Sequence, residues 1–180
     1  MTLLSRITAI ATLTLFSCKQ NTDASTVEEA YKRMYYSFVY TKNAQQKFID
    51  TAAECINTRI RDTNASIDTK RLTVLLDSAR IANQSRLPII NSTEEIDDDI
   101  KYKARVLKYI NLLDTLYNNE FVDYINSLES KSAIRLNRTV EVLYPRLEKL
   151  QEIGEAVSIS GEQIRTKYKI KFVDSSLIGK

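Results

Sequence analysis

The sequence predicts an all-α fold, an antiparallel bundle of about four helices, three of them long. Three observations carry that expectation. Glycine and proline are scarce among the 180 residues, three and two respectively, too few for the tight turns of an all-β chain. Apolar residues recur at steps of three and four over long windows, the period of a helix with one buried face. Short polar clusters and capping-type residues separate those windows, which folds consecutive helices back on one another.

The first stripe is Val27, Tyr31, Met34, Phe38, Thr41, Gln45, Phe48 with Ile49, Ala52, Ile56 and Ile60. It predicts one amphipathic helix about 50 Å long at 1.5 Å per residue. Ser25 with Glu28, or Thr26 with Glu29, has capping-box spacing at its start. The run "RDTNASIDT" ends it, because short polar side chains compete for backbone hydrogen bonds. The sequon "NAS" inside that run reads as turn chemistry.

A second helix is expected from about Thr69 to Arg86, with Leu72, Leu75, Leu76, Ala79 and Asn83 on its core face. Pro88 disfavours the α conformation at Leu87 and should end it. Ser92 with Glu95 forms a second capping-box pattern, which predicts a third helix there. Its stripe runs Ile96, Ile100, Ala104, Leu107, Ile110, Asp114, Tyr117, Phe121, Tyr124 with Ile125, then Leu128. The second helix is half the length of its neighbours, so a long helix must break or the bundle is ragged at one end. Asn118-Asn119 is the expected break.

The fourth helix starts near Ser132 and carries Leu136, Val140, Leu143, Leu147, Leu150, Gly154, Val157, Gly161, Ile164 and Tyr168. Pro145 should kink it near residues 141–145, and Gly154 and Gly161 should weaken its second half. The run "KIKFVDSSLIGK" reads as a tail.

Gln45 and Asp114 fall at mid-helix core positions on two helices that run the same way. They are expected to share a polar layer with Thr41 that fixes register, because a buried carboxylate needs donors. The alternative is that Asp114 lines a small polar cavity.

Composition narrows the function classes. The formal charge is +3 with acids and bases interspersed, so no nucleic-acid face stands out. There is no histidine, which removes Ser-His-Asp and Cys-His catalysis and the commonest metal ligand. No cofactor is expected, and the chain is read as not an enzyme. Asp97-Asp98-Asp99 point about 100° apart if helical, so they cannot converge on one cation, and they suit a helix's first turn. Cys55 is expected to act as a small apolar residue rather than a nucleophile.

Two surface features are candidate partner patches. Most of the ten tyrosines should pack at core edges, while Tyr36 and Tyr40 lie off the main stripe and are better placed for recognition. Ile67, Val74 and Ile81 repeat every seven residues opposite the core face of the second helix. A second internal contact is expected there; the alternative is an exposed strip of Val74 and Ile81 for a partner.

The N-terminus carries the sharpest motif. Arg6 precedes a short apolar run from Ile7 to Phe16, too short to cross a hydrocarbon core. It ends at Leu15-Phe16-Ser17-Cys18, and the chain then turns polar. This segment resembles the lipobox signal peptide of bacterial lipoproteins. The resemblance covers the first 18 residues and implies residues 1–17 as signal peptide and lipidation at Cys18; the polar run that follows is expected to be a tether over 18–25, the stripes place the helical domain at 26–172, and 173–180 is expected to be the tail. The resemblance also implies a cell-envelope protein anchored to the membrane through Cys18. Lys19 stands where aspartate would signal inner-membrane retention, which favours the outer membrane, on either face. The expected function is a non-enzymatic binding or structural role toward a protein or envelope partner. The alternative is a carrier or chaperone-like bundle that holds an apolar ligand between splayed helices.

Overall fold

The structure is a computed structural model, and it describes residues 24–62 and 64–171. Cys18, the signal segment and the tail 173–180 lie outside the described residues. Five helices follow in order: α1 (Ala24–Arg61), α2 (Thr69–Asn91), α3 (Tyr102–Asn118), α4 (Glu120–Glu129) and α5 (Ala133–Tyr168). They build an all-α antiparallel bundle of four rods, the third made of α3 and α4, which abut at Asn119.

The register is legible from single contacts. Tyr31 stacks on Tyr102, Phe38 meets Tyr109 edge-on, and Phe48 packs on Phe121, so α1 runs parallel to α3 and α4. Asn83 Nδ2 donates to Ile110 O while Arg80 donates to Tyr117 O, so α2 and α3 are antiparallel. On α5, Gly154 lies against the ring of Tyr109 and Gly161 against that of Tyr102. A Cβ at either glycine would sit 3.2 and 3.3 Å from the ring carbons. These glycines therefore let two tyrosines pack flat against the α5 backbone, a use beyond the weakening expected of them.

The α5 stripe buries nearly as expected, and Ser132 caps the helix by accepting from Arg135 N. Pro145 stays inside this helix on its exposed side, where the carbonyl it leaves unpaired, that of exposed Glu141, can meet water. The break at Asn118-Asn119 is present. There Asn118 Nδ2 donates to Asp114 O, and Asn119 Nδ2 donates to Thr115 O, so the side chains hold carbonyls at the helix end.

Several expectations need correction. Ser25 and Thr26, expected to open the first helix as caps, lie within α1. Pro88 does not stop α2, which continues to Asn91. Ile90 is fully buried, and Ser92 N, Ser92 Oγ and Thr93 Oγ1 donate to carbonyls of Pro88 and Ile89, which satisfies acceptors at the end of the helix. The Ser92–Glu95 pair does not open α3. Ser92 closes α2, while Glu95 reaches forward to accept from Lys103 N and Ala104 N and caps α3 from a distance. Ala104 is consequently exposed rather than on the core face.

The acidic run is not in a first helical turn either. Asp97 is buried in the loop, where its Oδ1 accepts from Asp99 N and Ile100 N. Its Oδ2 accepts from the Lys167 ammonium and from Tyr168 OH at 2.9 Å, fastening the α2–α3 connection to the end of α5. Burial alone would raise its pKa, but the Lys167, Ile100, Tyr168 and Asp99 donors outweigh it and hold it at about 2.

The expected polar layer does not form. Gln45 and Thr41 are buried, but Gln45 Oε1 takes its hydrogen bond from Tyr109 OH, and neither residue bonds Asp114. Asp114 is half-buried with Oδ1 unpaired among the described residues. Five tyrosines, Tyr31, Tyr102, Tyr109, Tyr117 and Tyr124, are core residues rather than edge packing. On α2, Val74 and Ile81 are 64% and 67% exposed, so the second internal contact is absent; Ile67, which precedes α2, tucks against the core.

Candidate functional site: a groove between α1 and α5

The four rods do not close evenly. α1 packs most closely on α2, and α5 on α3 and α4, whereas α1 and α5 meet along little of their length. The cause is visible in the side chains. α5 is drawn toward α3 by the two glycine–tyrosine contacts, and α1 presents the small pair Ala52-Ala53 where it faces α5. A groove is left along their seam.

One part of it is a slot of about 150 Å³ among three helices. Phe48, Ala52 and Ile56 of α1 form one wall, and Leu143, Tyr144 and Leu147 of α5 the other. Phe121 and Tyr124 of α4 form the floor, with core burial of 2% and 3% exposure. The lining is almost wholly apolar. Tyr124 contributes ring surface only, because its hydroxyl donates to Ala52 O at 2.7 Å.

Ile49 and Leu147 line both this slot and a larger cavity of about 630 Å³ further along the seam. The larger part is polar at its edges: Lys42, Gln45 and Gln46 come from α1, and Gln151, Glu155 and Ser158 from α5. From Lys42 to Ile56 the groove runs about 21 Å along α1. At its other end Arg59 is buried and donates to Leu128 O, placing a cation at the C-terminus of α4. Ile60, Tyr144 and Ile159 stand 72%, 61% and 59% exposed on this seam.

The buried phenols of the groove, Tyr124 in the slot and Tyr109 in the larger cavity, and the Cys55 thiol outside both are poor reagents. Burial raises the Tyr109 and Tyr124 hydroxyls well above the ordinary phenol value, so both stay protonated. Burial, then the Glu54 carboxylate, pushes up the Cys55 thiol. Among the described residues no group of three metal-ligating side chains converges.

The sequence-level candidates lie elsewhere. Tyr40 is 46% exposed, but the Arg86 guanidinium sits 4.0 Å over its ring, so α2 partly covers it. Tyr36 is half-buried, edge-on to Tyr35. Val74 and Ile81 form a separate strip on the outer side of α2. The structure does not bring these two patches into the groove. Phe48 and Leu143 are core residues as their stripes predict, and Leu147 packs against that core; the slot itself was not legible, because a stripe does not say whether the facing helix closes on it. The Ala52-Ala53 pair was the available signal, since small residues there leave room. No helix among the described residues is long and apolar enough to cross a membrane. Comparison with known proteins gave no match to any family model, curated protein or solved structure.

Proposed function

We propose that this chain is a lipid-anchored, non-enzymatic protein of the bacterial cell envelope whose bundle holds an apolar ligand between α1 and α5. The observation that carries the reading is the slot lined by half-buried Ile49, Ile56 and Leu147 and exposed Tyr144, an apolar site open to solvent above the buried Phe48, Phe121 and Leu143. Fully burying one large apolar side chain is worth about 1.5–3 kcal/mol, so covering several part-wet ones is a real driving force. The anchor rests on the lipobox-like "LFSC" at residues 15–18, and Lys19 favours the outer membrane. The absence of histidine from the sequence and the protonated state of the groove's phenols support binding over catalysis.

The test has two arms. Cys18→Ala should move the protein out of the membrane fraction; retention there contradicts the anchor. Apolar material extracted from the purified Cys18→Ala chain should vanish when Ala52→Phe fills the slot, at unchanged helix content. Material that survives Ala52→Phe is not held in the groove, and a chain that carries none contradicts the ligand reading.

A second reading has its own observation, the exposed Val74 and Ile81 on α2, which suit a protein partner. Under it, crosslinking in intact cells captures a protein, and Val74→Ser with Ile81→Ser abolishes that capture.

A further inference from the structure

The positive charge of the bundle is gathered at one end, where α1 and α4 finish and α2 and α5 begin. Residues 59–71 and 129–138 carry seven Lys and Arg against three Asp and Glu, whereas the other described residues carry 16 against 18. The Arg59 guanidinium of α1 donates to Leu128 O of α4 at 3.1 Å, and Ile60 lines one cup with Lys131, Ala133 and Leu136, so these helix ends share a face. Arg61, Lys70, Arg71, Lys131, Arg135 and Arg138 are exposed and make no ion pair among the described residues. Asp123 stands near Arg135 and Arg138 in a depression between α4 and α5, one carboxylate against two cations, while Glu120 there pairs with Arg146.

Helix dipoles explain only part of this charge. Arg59 and Arg61 suit the C-terminus of α1. Lys70 and Arg71 stand in the first turn of α2 and Arg135 in that of α5, where cations are unfavourable, and neither turn holds an acid. Lys131 adopts φ 52°, a left-handed conformation that glycine takes at least cost. Four cations thus occupy positions where the fold alone favours an acid or a glycine. The same end carries exposed aliphatic surface. Ile60 and Ile134 are 72% and 84% exposed, and the cup of about 120 Å³ beside Ile60 has Ala133 and Leu136 in its wall.

We infer that this end docks an acidic segment of a partner protein, one apolar side chain of which enters the cup while its carboxylates meet the surrounding cations. Charge complementarity sets the sign of the partner. The apolar wall of the cup selects a polypeptide, which offers an apolar side chain beside its carboxylates, over a nucleic acid. Cys18 lies six residues before α1, and α1 then runs about 57 Å to this end, so in a chain anchored at Cys18 this is the end remote from the anchor. The choice of protein over bilayer rests on that proposed anchor; the charge and the cup do not.

The test places a photocrosslinking amino acid at Ile134 of the full chain in intact cells, with the same group at exposed Asp98, in the α2–α3 connection at the opposite end, as reference. Mass spectrometry of the digested adduct reads the captured peptide. A protein adduct is expected at 134 and not at 98, its captured peptide richer in Asp and Glu than in Lys and Arg. Lys70→Glu with Arg135→Glu should lower the adduct about tenfold. The same pair should leave the urea midpoint of the purified Cys18→Ala chain equal or higher, because acids suit both first turns. Lys131→Gly should also lower the adduct while raising that midpoint. Loss of the adduct in variants that are no less stable is not unfolding. No protein adduct at 134, a neutral or basic captured peptide, or an adduct that both variants leave unchanged overturns the docking end. A lipid adduct at 134 overturns the protein partner in favour of an anionic bilayer. Ala52→Phe should leave the adduct at 134 unchanged, so the groove reading stands or falls separately; an adduct lost with Ala52→Phe overturns a distinct site at this end.

Discussion

Asp97→Asn isolates the fastening between the α2–α3 connection and the end of α5. The substitution keeps the shape and one acceptor oxygen for Ile100 N and Asp99 N, but removes the charge that Lys167 and Tyr168 serve. The carboxyl is held at about 2 against an ordinary value of 3.8, and each unit corresponds to about 1.4 kcal/mol. The ionised carboxylate thus contributes about 2 kcal/mol at neutral pH. Its native pKa lies below the unfolded one, so this contribution is complete above about pH 4 and is lost as pH falls toward 2. Urea unfolding followed by circular dichroism, on the Cys18→Ala chain with and without Asp97→Asn, measures it. The variant should be about 2 kcal/mol less stable at pH 7, with the difference closing as pH falls through that window. A loss below about 0.5 kcal/mol, or a difference that does not change between pH 5 and pH 2, would refute the reasoning.

Other outcomes follow from the packing. Gly161→Leu should destabilise by about 1–3 kcal/mol in the same assay, because even a Cβ there would sit 3.3 Å from the Tyr102 ring. Phe48→Ala should cost about 3–5 kcal/mol, since the ring is fully buried against Phe121. Val74→Ser with Ile81→Ser should change thermal stability little, within about 1 kcal/mol in total, because both side chains face water.

Most of the helical layout was legible in the sequence, because a helix with one wet face writes its period into the chain. The α5 stripe and its Ser132 cap, the start of α2 after Asp68 and the break at Asn118-Asn119 all follow from local chemistry. What local reading missed depends on partners distant in sequence. Glu95 had capping-box spacing to Ser92, yet its carboxylate serves backbone groups eight and nine residues on. Asp97 looked like helix-dipole charge, but its ammonium partner lies seventy residues away on α5. Gln45 was read as the partner of Asp114; the tyrosine that takes it lies on the same helix as Asp114, five residues earlier. The groove was hidden for a related reason. Periodicity says which residues avoid water, and the distance between two facing stripes is set by whatever else packs on each helix.

The central claim is that the groove, rather than the outer side of α2, meets an apolar ligand. A photocrosslinking amino acid at Ala53, an exposed position on the rim of the slot, tests it in intact cells, with the same group at Val74 as reference. After irradiation and purification, mass spectrometry of the intact chain reads the adduct. The account predicts a lipid-sized mass added at position 53 and none at position 74. A protein-sized adduct at 53, or a lipid adduct equally abundant at both positions, would contradict it.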